Sequence, residues 1–168
     1  RCNIRYVVEG ERHFYAAKEI IDAVNLLRAI DNPNDRLALV GVLRSPLGGA
    51  PDKLIYDLHC LSLLDYRKAA QLDARKLHAT LPELYRTLVR LHEETRLLPV
   101  GDAVSLVFTS LPVRLLAASY FHGEQAVANL DKLKQQAELL GREGLTTLKE
   151  TVRRLQGRDL DVKEEGES

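Results

Sequence analysis

The residues whose types and spacing best suit a chemical role lie in one short stretch, where Arg44-Ser45 precedes Gly48-Gly49 and a new helical pattern then begins. A cation and a glycine-containing turn ahead of a helix N-terminus can hold an anion such as a phosphate. Arg44 has a second interpretation, because a cation is also favourable at the C-terminus of the helix that precedes it. The pattern therefore indicates an anion site and leaves a helix-capping role open.

The sequence lacks the common catalytic motifs. It contains no G-x-x-x-x-G-K-[ST] phosphate-binding loop, no G-x-G-x-x-G, no H-E-x-x-H, no C-x-x-C and no G-x-S-x-G. The five histidines are scattered, and no two of them are four residues apart, which is the spacing of a helical metal site. We therefore expect no catalytic residue, metal ligand or cofactor within this chain.

The composition is that of a folded protein without a strong overall charge. The 168 residues are 45% hydrophobic and 29% charged, and 24 basic residues balance 24 acidic ones. This balance excludes intrinsic disorder and excludes nucleic-acid binding through bulk positive charge, so any such contact must be local. No apolar run reaches the roughly 18 to 20 residues of a membrane span. With only Cys2 and Cys60, we expect a reduced, cytoplasmic protein.

The chain contains no methionine and opens on Arg1, next to a stretch with the composition of a strand. We therefore expect it to be a piece of a longer protein. That stretch, Ile4–Glu9, is β-branched and aromatic and is followed by Gly10, which predicts a strand. One or two short strands are all that the sequence predicts.

Hydrophobic periodicity predicts a mainly helical fold for the rest of the chain, because apolar residues recur every three or four positions. Asp35 is the predicted N-cap of the second helix. Pro82 lies inside the longest apolar pattern and predicts two helices, or one kinked helix, with the joint at Thr80 or Leu81. The predicted helices, seven to nine in all, cover 16–30, 35–45, 52–64, 73–98, 102–111, 112–122, 124–140 and 145–157.

Glycine positions predict where the later helices end. Gly123 is predicted to close the helix that Pro112 opens, and Gly141 to stop the helix that starts at Glu124. Gly157 is predicted to end the last helix, and the charged residues 158–168 are predicted to form a mobile tail.

Short motifs occur in a fixed order along the chain. They are Gly10, Phe14-Tyr15, Glu19-Ile20 with Asp22, Asn32-Pro33 with Asp35, Leu43-Arg44-Ser45-Pro46, Gly123-Glu124-Gln125 and Ala128-Asn129-Leu130. This order resembles that of superfamily 1 DNA helicases of the UvrD, Rep and PcrA type, and more closely that of the AddA and RecB helicase-nuclease proteins. In that family, a strand of the second RecA-like motor lobe leads into the aromatic pair, an E-I-x-D helix, an N-P-x-D turn and L-R-S-P. A G-x-Q-R-x-A-N-L segment precedes the return to the motor lobe.

The resemblance implies a parent protein and a place for this chain within it. The parent would be an ATP-dependent DNA helicase, with or without a nuclease, whose two RecA-like lobes use ATP and Mg2+. Because the ATP-binding motifs are missing here, the resemblance places the chain in the inserted 2B subdomain with a fringe of the 2A motor lobe, and the fragment alone is expected to be inactive. Residues 1–31 would be the 2A fringe, a strand plus a helix; residues 32–157 the helical 2B-like subdomain; and residues 158–168 the flexible tail leading back to the motor lobe.

The resemblance also implies roles for individual residues. The candidates for DNA binding are Arg44, Ser45, Gly48, Gly49 and Lys53. The candidates for the junction with the motor lobe are Phe14, Tyr15, Glu19 and Asn129, where the two aromatic residues are expected to pack rather than to stack on bases.

The sequence departs from the family pattern at two positions that matter for DNA contact. In UvrD-like members the turn after the S-P or T-P dipeptide reads G-I-G, whose backbone N–H groups can approach duplex phosphates. Here the turn reads Gly49-Ala50-Pro51, and Pro51 has no N–H to donate. Ala126 stands where many relatives have an arginine. The first departure weakens the case for duplex binding, and the second means that a charge contact expected at this position is absent.

Two functional hypotheses follow, with a third as background. The leading one is an accessory region of a DNA helicase or helicase-nuclease in DNA repair or recombination that positions DNA or regulates unwinding. Its partners would be DNA, the motor lobes of the same protein and a partner subunit, with no membrane contact. The alternative is a helical protein-interaction module that docks a partner subunit without touching nucleic acid. Salt dependence separates the two, because phosphate contacts weaken as salt rises. The third is an unrelated helical bundle with accidental motif matches.

Overall fold

The computed structural model describes residues 14–71, 80–142, 147–148, 150–151 and 153–154. Within these residues the fold is mainly α, as predicted, and contains no strand. The predicted strand Ile4–Glu9 and the 158–168 tail lie outside them. The helices are α1 (Lys18–Asp31), α2 (Arg36–Arg44), α3 (Asp52–Cys60), a 3-10 helix (Tyr66–Gln71), α4 (Leu81–Thr95), α5 (Val100–Ser110), α6 (Val113–Ala118) and α7 (Gly123–Arg142). None of the described helices is long and apolar enough to cross a membrane.

The turn between α1 and α2 follows the prediction. α1 ends at Asp31, two residues before Pro33, because a proline disfavours helical geometry in the residue that precedes it. The Asp35 carboxylate accepts a hydrogen bond from the Ala38 N–H at 2.9 Å, which confirms it as the N-cap of α2. The same carboxylate pairs with the Arg28 guanidinium at 2.8 Å. This turn therefore fixes α1 and α2 against each other through one side chain.

The prediction that α3 runs to Leu64 is wrong, because the helix ends at Cys60. Ser62 has a φ of 56°, and the Leu63 N–H turns back to the Leu58 carbonyl at 2.8 Å. Leu61, which continued the apolar pattern in the sequence, is 60% exposed. The 3-10 helix that follows was not predicted.

Pro82 lies in the first turn of α4. Backbone N–H groups in the first turn have no acceptor within the helix, so the N–H that proline lacks costs no hydrogen bond. The predicted joint at Thr80 or Leu81 is thus where the helix begins. The apolar pattern of this segment is confirmed, since Leu84, Leu88 and Leu91 are buried. Residues 72–79, the first part of the predicted 73–98 stretch, lie outside the described residues.

The two glycines predicted to end helices do not do so. Gly123 is the first residue of α7, and α6 ends earlier, at Ala118. A Cβ at position 123 would collide with the Ala118 carbonyl, so the glycine permits a close approach between α6 and α7. Gly141 lies within α7, where a Cβ would stand 2.6 Å from a methyl group of Val100. Packing therefore explains Gly123 and constrains position 141, which lies one residue before the last residue of α7.

The core is continuous from α1 to α7. Leu27 and Ile30 of α1 and Leu130 and Leu133 of α7 are fully buried within the same cluster. This core crosses the predicted domain boundary at residue 31, and that boundary remains a prediction. Elsewhere in the core, two tyrosine hydroxyls donate hydrogen bonds to backbone carbonyls. Tyr66 donates to Ala29 at 2.8 Å, and Tyr85 donates to Leu63 at 3.0 Å.

Candidate functional site

The motif residues collect in two places. The first is the corner turn, which we define as residues 44–53 between α2 and α3. The second is the seam, which we define as the contact of residues 14–22 with residues 120–136 of the α6–α7 segment. All five DNA-binding candidates lie in the corner turn, and all four junction candidates lie in the seam.

Ser45 organises the start of the corner turn from a buried position, with 5% of its surface exposed. Its hydroxyl donates to the Val42 carbonyl at 2.7 Å and accepts from the Leu47 N–H at 3.3 Å. Its own carbonyl accepts from the N–H groups of both Gly48 and Gly49, at 3.1 and 2.8 Å. Ser45 therefore acts here as the internal hub of the turn, and its hydroxyl is not presented to solvent.

The backbone N–H groups of the corner turn are used within the turn. The N–H groups of Leu47, Gly48 and Gly49 donate to Ser45, as described above. The Ala50 N–H donates to the Leu43 carbonyl at 2.8 Å. Pro46 and Pro51 have no N–H. Between residues 46 and 51, every backbone N–H already has an acceptor in the protein. An anion at residues 46–51 would therefore be held by side chains, whereas the N–H groups of Asp52 and Lys53, in the first turn of α3, have no intrahelical acceptor.

The two glycines of the turn have separate structural reasons. A Cβ at Gly48 would stand 2.5 Å from both the Cα and the carbonyl oxygen of Leu43, so position 48 admits no side chain. Gly49 has a φ of 56° and open space around it, so it is favoured for its backbone conformation. The glycines therefore shape the turn whether or not it contacts a ligand.

Arg44 is paired rather than free. Its Nε lies 3.0 Å from Asp52 Oδ1 and its Nη2 donates to Asp52 Oδ2 at 3.2 Å. The pair is solvated, with the two side chains 60% and 77% exposed. Lys53, in the first turn of α3, is exposed beside it. No sequence pattern pointed to Asp52, whose carboxylate occupies the position that an anion would take against Arg44.

The aromatic half of the seam is buried against α7. Phe14 and Tyr15 are each 5% exposed and contact each other edge to face, with ring centroids 5.0 Å apart. The Lys132 ammonium lies 4.6 Å from the centre of the Phe14 ring, and the Tyr15 hydroxyl donates to Gln136 Oε1 at 3.1 Å. Within this chain the two side chains therefore pack in the core and present no exposed surface on which a base could stack.

The polar half of the seam joins the other two junction candidates directly. Asn129 Nδ2 donates to Glu19 Oε1 at 2.6 Å, and Gln125 Nε2 donates to Asn129 Oδ1 at 3.0 Å. Residues 110 positions apart in the sequence are thereby hydrogen-bonded. Their partners in the structure belong to the same chain, and a contact of these residues with a motor lobe remains a prediction.

The seam also contains a pair that sequence reasoning missed. The Tyr120 hydroxyl donates to Asp22 Oδ2 at 3.1 Å, and the Lys18 ammonium lies 5.6 Å from the Tyr120 ring centre. Burial raises the pKa of Asp22, an effect that the Tyr120 hydrogen bond and Lys18 only partly oppose. Burial, together with the Asp22 carboxylate, raises the pKa of Tyr120 to about 12. Asp22 belongs to the E-I-x-D motif, but no sequence pattern pointed to Tyr120.

A small pocket lies where the seam meets the corner turn. Asp22, Tyr120 and Leu47 are among its lining residues, and its volume of about 30 Å³ is that of one or two water molecules. A wider groove of about 710 Å³ lies between the α4–α5 connection and the end of α7, and none of the predicted site residues lines it. Within the described residues, no group of three His, Cys, Asp or Glu side chains could hold a metal ion.

Comparison with known proteins relates this chain to the ATP-dependent DNA helicases and helicase-nucleases of superfamily 1, distantly and over part of its length. It is 27% identical over 158 residues to the exonuclease/helicase protein RexA of Lactococcus lactis subsp. cremoris, covering 86% of this chain and 13% of that protein. An ATP-dependent helicase/nuclease protein of Carboxydothermus hydrogenoformans is 26% identical over 145 residues, or 79% and 12%. The ATP-dependent DNA helicase UvrD1 of Mycobacterium tuberculosis is 43% identical over 53 residues, or 32% and 7%.

The chain thus spans between 7% and 13% of the length of these relatives. No family model matches it.

Proposed function

We propose that this chain is the helical accessory, 2B-like region of an ATP-dependent DNA helicase or helicase-nuclease, and that its corner turn helps to position DNA for the motor. The ATP- and Mg2+-dependent steps belong, in this proposal, to motor lobes outside the chain. The chain by itself neither hydrolyses ATP nor unwinds DNA.

The observation that carries the proposal is the extent of the similarity combined with the placement of its motifs. The match to the Lactococcus exonuclease/helicase protein covers 86% of the chain, and the sequence has no ATP-binding motif. The motif residues form the corner turn, which joins α2 to α3, and the seam, which joins parts of the chain that are far apart in the sequence. Because these motifs follow the order of the helicase pattern and connect helices, they support an inserted region that positions DNA.

Contact with DNA is made in this proposal by side-chain cations. The backbone of the corner turn has no N–H left to donate between residues 46 and 51, whereas Arg44 and Lys53 are exposed. An exposed ion pair such as Arg44–Asp52 contributes at most about 1 kcal/mol. A DNA phosphate can therefore replace the Asp52 carboxylate at the guanidinium at little cost, by forming the same kind of charge-assisted hydrogen bonds.

The test is fluorescence anisotropy of a labelled forked DNA titrated with the 168-residue chain at low salt. We expect binding that weakens by roughly thirtyfold in an Arg44→Gln, Lys53→Gln double variant, because each of the two lost phosphate contacts contributes about 1 kcal/mol. An Arg86→Gln, Arg90→Gln double variant is the matched control, since it also removes two exposed cations, both on α4, of which Arg90 is paired with Glu94 at 3.0 Å. The control should bind as the unmodified chain does.

Equal loss of binding in both variants would mean that charge alone is sensed, and the corner turn would lose its assigned role. An ATPase activity of the purified chain that DNA stimulates would contradict the assignment of ATP chemistry to other lobes.

A second candidate function is favoured by exposed apolar side chains. Phe121 is 96%, Leu97 87% and Leu115 72% exposed. Exposed apolar side chains that form a contiguous patch are typical of surfaces that another protein covers. A chain that binds no DNA at low salt would be better described as a module that docks a partner subunit.

A further inference from the structure

α3 is held by fewer buried side chains than the neighbouring helix of equal length. Of its nine residues only Leu54 and Leu58 are buried, whereas α2 buries four of nine. Tyr56, on the outer side of α3, is 66% exposed. Because tertiary packing of an apolar face provides most of the stability of a short helix, α3 is the less firmly docked of the two.

Both connections of α3 contain a residue with positive φ. Gly49 precedes the helix and Ser62 follows it, each with a φ of 56°, and the described part of the chain has no other positive φ. A Cβ added at Gly49 would meet no atom within 4 Å, so no neighbouring side chain packs against this residue. Residues at the ends of an element that absorb changes in φ and ψ are what hinged motions require.

A single ion pair joins the side chains of α3 to the rest of the described chain. It links Asp52, the first residue of α3, to Arg44, the last residue of α2. At 60% and 77% exposure, the pair lies in solvent and is screened by salt. A contact of this kind holds a helix end in place but is readily broken.

We propose that α3 undocks from the helical core as a unit, turning about Gly49 and Ser62, and that the Arg44–Asp52 ion pair is its clasp. Undocking exposes Leu54 and Leu58 and releases the Arg44 guanidinium. Rising salt favours the undocked state because it weakens the clasp. This motion is a property of the isolated chain, and it stands or falls independently of DNA binding.

The test is hydrogen–deuterium exchange of the intact 168-residue chain, followed by mass spectrometry of peptides from α2, α3 and α4. We expect the α3 amides to exchange at least about tenfold faster than those of α2 and α4, as in a sub-global opening. Asp52→Asn should speed exchange in α3 a further 1.5- to 5-fold, roughly the range for loss of an exposed pair, and leave α2 and α4 unchanged.

Asp57→Asn is the matched control, because it removes a carboxylate from the same helix that forms no ion pair with the described residues. Because a carboxylate in the last turn opposes the helix dipole, its removal should leave exchange in α3 unchanged or slow it slightly. Ser62→Gly should slow α3 exchange by a few-fold, since glycine adopts positive φ without the steric cost that serine has.

Equal protection of α2, α3 and α4 would overturn the undocking. Exchange in α3 that is fast but unaltered by Asp52→Asn, or altered equally by Asp57→Asn, would overturn the clasp. Variants that changed all three helices together would report global unfolding instead and would also overturn the proposal.

Discussion

Asp35 holds the turn between α1 and α2 with both of its carboxylate oxygens, so its removal should measurably weaken the fold. Oδ1 accepts the Ala38 N–H at 2.9 Å, and Oδ2 accepts Arg28 Nη2 at 2.8 Å and Nε at 3.1 Å. The two side chains of this ion pair are only 26% and 20% exposed. The pair is thus less solvated than Arg44–Asp52 and contributes more.

The expected magnitude is the sum of these two roles. Loss of an N-cap costs about 1 kcal/mol, and loss of a half-buried, two-point ion pair costs about another 1 kcal/mol. Asp35→Ala should therefore lower the free energy of unfolding by about 2 kcal/mol, which for a chain of this size is a fall in melting temperature of roughly 4 to 8 °C. Asp35→Asn keeps the cap and should lose only about 1 kcal/mol.

The assay is urea and thermal unfolding followed by circular dichroism, with Asp52→Ala as the control. Because its ion pair is exposed, Asp52→Ala should lower the free energy of unfolding by no more than about 1 kcal/mol, about half the loss expected for Asp35→Ala. An Asp35→Ala chain within about 0.5 kcal/mol of the unmodified chain would refute the assigned roles. Equal losses for Asp35→Ala and Asp35→Asn would show that the cap contributes nothing.

Three further substitutions test other parts of the structure. Burial raises the pKa of Asp22 in the folded state, so the contribution of this carboxyl to stability is fully present below its unfolded pKa and is lost as pH rises through its folded pKa. As pH rises from about 4 to 7, the Asp22→Asn chain should therefore become more stable relative to the unmodified chain, as measured by urea unfolding. A relative loss of stability over this range would contradict the prediction. Gly48→Ala should cost more than about 2 kcal/mol in the same assay, since the new Cβ meets the Leu43 backbone; a neutral effect would show that the turn relaxes. Ala126→Arg, which restores the family residue, should cost about 3 kcal/mol or more because position 126 is 3% exposed; an unaffected melting temperature would show that this arginine reaches solvent.

Local chemistry was the part of the fold that the sequence predicted well. Asp35 caps α2 and Pro82 lies in the first turn of α4, because a side-chain oxygen and a missing N–H act on the nearest turn. The prediction that Gly123 ends a helix was wrong, because its need for space is imposed by Ala118 of another helix. A packing requirement of that kind leaves no mark in the neighbouring sequence.

In the candidate site, too, some residues could be predicted from the sequence, whereas partners contributed by other helices could not. The resemblance named the junction residues Glu19 and Asn129, and the structure brings them together at 2.6 Å. It did not reveal that Asp52 would pair with Arg44, or that Tyr120 would bond to Asp22. These partners are set by how helices meet in space, which neither periodicity nor motif order specifies. The roles of all these residues toward DNA or a motor lobe remain predictions.

The measurement that most directly tests the proposed function is the salt dependence of forked-DNA binding by the unmodified chain. If Arg44 and Lys53 each neutralise one phosphate, the logarithm of the binding constant should fall against the logarithm of salt concentration with a slope of about −1.8. The double Arg44→Gln, Lys53→Gln variant should bring that slope close to zero. Absence of binding at low salt, or binding whose slope the double variant leaves unchanged, would contradict the assignment of the corner turn to DNA.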